Sequence, residues 1–151
     1  MKQFQFRLDS VLRLRETRLE AERRMLQQIV AEQRRLKQAL EHLGEERANA
    51  GKFLQRAPGG AGSVELRALS GFLLGLRARG TAIRERMETA ENVAVQQRKR
   101  VLAAEQAVRL LVKMRERRMA EWRQEWDREL ERVAQEAWNA AHFRERKPAE
   151  V

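Results

Sequence analysis

The chain has 151 residues, of which 36% are charged, 42% apolar and only 5% aromatic, so there is little material for an ordinary globular core. Its net charge of +10 invites a nucleic-acid reading, but the 32 basic residues are interleaved with 22 acidic ones, as in ERRMAEWRQEWDRELER, the pattern of a salt-bridged solvent face. Without cysteine there is no disulfide framework and no thiolate metal site, which suits a reducing cytoplasm.

At the start, MKQFQFRLDSVLRLRE lacks the apolar core of a signal peptide. No window along the chain reaches the roughly 18 uncharged apolar residues of a membrane span. A soluble, unprocessed protein is expected.

From Leu8 a 4,3,4,3 ladder runs through Leu8, Leu12, Leu19, Leu26, Ile29, Leu36, Leu40, Leu43, Ala50 and Leu54, with Arg15, Glu22, Gln33 and Arg47 in the remaining slots. Spacing of about 3.5 residues keeps one stripe facing one partner while the pair supercoils left-handedly, so this is a coiled-coil seam. Asp9 or Ser10 is the expected N-cap of a first helix over about 8–56. The turn falls at residues 57–63, where Pro58 removes a helical donor and the glycines permit positive φ. Ser63 is the expected cap of the second helix, with Glu65 favouring the dipole of its first turn.

The second helix, about 64–143, carries its own ladder: Leu66, Leu69, Leu73, Leu76, Gly80, Ile83, Met87, Ala90, Ala94, Gln97, Val101, Ala104, Val108 and Leu111. Beyond Leu111 the phase slips. Arg115 and Arg118 fall on the old seam, while Met119, Trp122, Trp126, Leu130, Val133 and Ala137 trace a displaced one.

Folding the second seam onto the first predicts an all-α, two-helix antiparallel coiled-coil hairpin in a single domain, residues 1–151. Matching slot to slot from the turn places Leu54 against Leu66, Leu40 against Gly80, Leu19 against Val101 and Leu8 against Leu111. Glu22 meets Gln97 as a polar layer that specifies register, with Arg18 or Arg98 near enough to neutralise the carboxylate. The second helix is the longer, so some thirty residues beyond Leu111, holding Trp122, Trp126 and Trp138, are expected to run on as a single-helix overhang without a partner in the hairpin.

Chemistry is scarce. His42 and His142 stand a hundred residues apart, Gly59-Gly60-Ala61-Gly62-Ser63 lacks the Lys-Ser/Thr of a phosphate loop, and a coiled coil offers no pocket in which to tune paired carboxylates. No catalytic residue, metal site or cofactor is expected. The GxxxG spacing at Gly71 and Gly75 has Arg67, Arg77 and Arg79 beside it and is no membrane-pairing motif.

The opening Phe4-Gln5-Phe6-Arg7-Leu8-Asp9-Ser10-Val11-Leu12-Arg13-Leu14-Arg15-Glu16, the stretch Met114–Arg123 and the closing Ala140-Ala141-His142-Phe143-Arg144 resemble the two ends of the FliJ family, stalk-like proteins of the flagellar type III export apparatus. Where that family has a Leu-Asp-Glu segment, this chain has Leu130-Glu131-Arg132. The resemblance implies a non-enzymatic stalk similar to the coiled coil of the rotary ATPase γ subunit. Its partners would be the hexameric export ATPase, the cytoplasmic domain of the export gate FlhA, and export chaperones. It would lie in the cytoplasm at the inner-membrane face of the flagellar base, held there only through partners.

On that reading Phe4, Phe6, Arg7, Trp122, Trp126 and Trp138 are the expected ATPase-binding residues, and Phe72, Leu74, Leu76, Arg79 and Ile83 the expected gate-binding ones. Phe72 and Leu74 lie off the seam near the turn, and exposed apolar side chains there suit a partner surface. The alternatives are the equivalent stalk of a virulence injectisome and a basic coiled coil that binds nucleic acid, the latter weakened by the scarcity of aromatic residues for base stacking.

Overall fold

A computed structural model of the protein describes residues 3–56, 60 and 62–145. Two long helices, α1 over Asp9–Arg56 and α2 over Ser63–Glu145, account for nearly all of them, and no strand occurs among the described residues. Ala57, Pro58, Gly59 and Ala61, the centre of the expected turn, lie outside the described residues. Gly60 between them has φ of 84°, a conformation that costs glycine little and other residues much.

Both helix starts differ from the sequence expectation by one or two residues. The Leu12 amide donates to the Leu8 carbonyl at 2.8 Å, which puts Leu8, not Asp9 or Ser10, at the N-cap. Asp9 instead occupies the first helical position, where its carboxylate favours the dipole and lies 2.8 Å from Arg13. Likewise the Leu66 amide donates to the Gly62 carbonyl at 3.0 Å, making Gly62 the cap in place of Ser63. Glu65 reaches back to accept from the Gly62 amide at 3.0 Å, one half of a capping box. A backbone with Glu three positions on needs no hydroxyl to start this helix.

The chain forms two compact units. One is Arg18–Ala104, and the other combines Met1–Thr17 with Glu105–Val151.

In the Arg18–Ala104 unit the seam residues Leu19, Leu36, Ala50, Leu76 and Ala94 are buried, and Leu26, Ile29, Leu40, Leu43, Ile83, Met87 and Ala90 are half-buried. Gln97, 3% exposed, donates through Nε2 to the Glu22 backbone carbonyl at 3.0 Å and to Glu22 Oε2 at 2.5 Å. Eleven residues further along α1, Gln33 Nε2 donates to Glu91 Oε2 at 2.7 Å. Residue numbers fall on α2 as they rise on α1, so the two strands of this coil run in opposite senses, in the register read from the ladders. Arg98, a candidate to neutralise Glu22, pairs with Glu91 at 3.5 Å.

The seam is not uniform. Arg47, a ladder position, is exposed, and its neighbour Glu46 is half-buried, with Oε1 3.6 Å from His42 Nδ1. Leu54 and Leu66, the expected pair nearest the turn, both stay exposed. Gly80 is buried, yet a Cβ placed on it would meet only the Arg84 guanidinium at 3.9 and 4.0 Å, so Leu40 does not press on that spot.

In the other unit Leu12 is buried and Val108 and Leu111 are half-buried. Here the expected overhang needs correcting. Residues 3–6 are not helical, so they are not held to the rise of about 1.5 Å per residue on which the helical register depends. The segment therefore reaches further along α2 than helical register allows: Phe4 packs on Trp122, ring centroids 6.0 Å apart, and Leu8 lines a groove with Met114. Trp122 and Trp126 are both half-buried, so neither is left without a partner.

Candidate functional site

The phase slip after Leu111 decides which α2 side chains meet the N-terminal segment. Arg115 is exposed, and Met119, Trp122 and Trp126 rotate onto the face that the old seam vacates. Trp122 stacks on Trp126 with centroids 5.6 Å apart and planes 22° from parallel, while its other neighbour Phe4 is tilted by 55°. Such an offset aromatic row contributes about 0.5–1.5 kcal/mol per pair beyond the area it buries.

Around this row lies an open groove of about 870 Å³, lined by residues 3–8 and by Met114, Arg118, Glu121, Trp122 and Glu125. Phe6 and Arg7, two of the expected ATPase-binding residues, belong to it together with Phe4 and Trp122. Its rim is of mixed sign, with Arg118 Nη1 donating to Glu121 Oε2 at 3.1 Å. Trp138 is not part of it. At 62% exposure it stands on the far part of α2, stacked on the His142 ring at 4.8 Å.

Of the expected gate-binding residues, Phe72, Leu74 and Arg79 are exposed on α2. Leu76 is 4% exposed and Ile83 half-buried, so these two hold the seam beneath the patch and offer little surface of their own. Among the described residues no group of three or more His, Asp or Glu side chains can hold a metal ion, and no helix is long and apolar enough to cross a membrane.

Two features escaped the sequence reading. Met114, Arg118, Glu121 and Glu125 share one helical face with Trp122, a spacing visible in the sequence, but nothing there announced that residues 3–6 would lie across it. Glu91, which bridges Gln33 and Arg98, is an outward charge by pattern alone.

The family described as flagellar FliJ protein matches residues 4–147. No curated protein and no solved structure matches the chain. With nearly its whole length covered, the chain belongs to the FliJ family, a non-enzymatic, chaperone-type family with a role connected with flagellar export.

Proposed function

We propose that this FliJ-family chain is the coiled-coil stalk of the flagellar export apparatus, coupling the hexameric export ATPase to the gate protein FlhA and to export chaperones. The observation that carries the reading is the aromatic groove at the paired chain ends, where Phe4, Phe6 and Arg7 are set beside Trp122 on a long helix. A narrow protein ring admits one or two helices, and mixed charges along them pair with successive subunits without locking onto one. The part of α2 beyond Trp126 serves as the single-helix overhang that enters the ring, carrying Trp138.

Phe72 and Leu74, exposed over a seam held by Leu76 and Ile83, are the gate-facing patch, with Arg79 at its edge. On this reading the protein works in the cytoplasm at the inner-membrane face of the flagellar base, held there by its partners.

Two variants of the full chain separate the surfaces. Removing residues 119–151, which takes away Trp122, Trp126 and Trp138, is expected to abolish stimulation of the purified ATPase while sparing FlhA binding. Phe72→Ala is expected to do the reverse at unchanged melting temperature. Full stimulation by the truncated chain overturns the orientation, and undiminished FlhA binding by the Phe72 variant removes the patch.

A further inference from the structure

Beyond the aromatic groove the α2 ladder continues with no covering element among the described residues. Trp126 is half-buried, but Leu130 and Val133, one and two turns on, are 52% and 53% exposed, and Ala134 and Ala137 on the same face are also open. Trp126, Glu129, Leu130 and Val133 line a shallow notch of about 150 Å³. The stripe is continuous in phase with the face on which Phe4 already packs against Trp122, so its geometry is that of a seam prolonged past its partner.

Charge says what kind of partner. Between residues 125 and 140 there are five carboxylates, Glu125, Asp127, Glu129, Glu131 and Glu136, against two guanidinium groups, Arg128 and Arg132, in a chain whose net charge is +10. The helical turn places Glu129 and Glu136, seven apart, along one edge of the stripe, and Asp127 and Glu131, four apart, along the other. Arg128 stands on the opposite side of the helix, whereas Arg132, four before Glu136, lies behind the Glu129–Glu136 edge as far from the stripe as Glu131 does on the other side. The exposed Arg132–Glu136 contact of 3.8 Å leaves that edge acidic in character, since such pairs contribute little.

We infer that the Trp126–Leu130–Val133–Ala137 face of α2 is a docking seam for an amphipathic helix of another protein whose apolar stripe is flanked by lysine or arginine. A second copy of this chain would bring the same acidic edges together, and like charges flanking a coiled-coil seam oppose pairing. The inference goes beyond the stalk reading, because it specifies the chemistry of the occupant and stands whether or not that occupant belongs to the export ATPase.

The test uses the full chain and two synthetic four-heptad peptides with the same leucine–isoleucine seam, one with lysine and one with glutamate at the flanking positions, titrated by tryptophan fluorescence. The basic-flanked peptide is expected to bind at least about tenfold more tightly, less so as salt rises, although the +10 chain as a whole attracts the acidic one. Leu130→Asp with Val133→Asp should abolish binding at unchanged helicity and melting temperature, and Glu129→Lys with Glu136→Lys should reverse the preference. Equal affinities, tighter binding of the acidic peptide, binding that survives the two aspartates, or a dimer in sedimentation that those aspartates dissolve would each overturn it.

Discussion

The stretch of α2 around Ala94 and Gln97 and the stretch around Leu130 and Val133 carry the same kind of ladder and meet opposite fates. Ala94 is fully buried and Gln97 nearly so, closed over by α1. Leu130 and Val133 are half open to solvent, with no α1 residue left to meet them. Apolar periodicity therefore says which face of a helix is meant to be covered and is silent on what covers it. In the first stretch the chain supplies its own cover; in the second the acidic edges describe a cover that must come from elsewhere.

Matched truncations break the comparison most sharply. Leu12→Ala or Leu76→Ala, each removing a buried seam residue, should lower unfolding free energy in urea by about 2–5 kcal/mol, whereas Leu130→Ala should change it by less than about 0.5 kcal/mol. Equal losses would mean that Leu130 is covered within the chain after all.

The polar layer comes next. Gln97→Ala strips the donor from Glu22 inside the seam and should cost about 1–3 kcal/mol, measured by the same denaturation. Replacing Glu22 and Gln97 together with leucine should recover that loss and loosen the register. Cysteines at Leu19 and Val101 would then cross-link less completely, and a pair one heptad out of step, Leu19 with Ala94, would begin to form. Cross-linking confined to the first pair would show that the layer does not specify register.

A smaller effect sharpens the picture of the seam at Gly80. An alanine there meets only the flexible end of Arg84 and gains helix propensity, so Gly80→Ala should raise stability by about 0.5–1 kcal/mol, seen as a higher melting temperature. A drop would mean that Leu40 leans into the space the glycine leaves. Read by fluorescence and not by stability, Phe4→Ala should red-shift tryptophan emission as Trp122 loses its cover, with little change in helicity.

Much of this architecture is legible before any coordinates. The two heptad ladders, the break around Pro58 and the opposition of Glu22 to Gln97 follow from spacing alone, because helical rise is constant and a slot counted from the turn on one strand identifies its opposite on the other. Phe72 and Leu74 are readable as exposed for the same reason: they stand off the seam. That constancy fails at the N-terminus. Residues 3–6 leave the helix and so escape its fixed rise, and Phe4 arrives at Trp122 where the helical count stopped Leu8 at Leu111.

The sequence by itself determined the secondary structure, the seam, its polar layer and the surplus length of α2, since each depends on local periodicity and a fixed rise per residue. Only the tertiary structure decided that Gly62 and Leu8 cap the helices, that Glu46 rather than Arg47 turns inward, and that the N-terminal segment builds an aromatic groove on α2. Those outcomes rest on which backbone group finds a donor and which side chain finds a neighbour across space, and neither is encoded in the spacing of one helix.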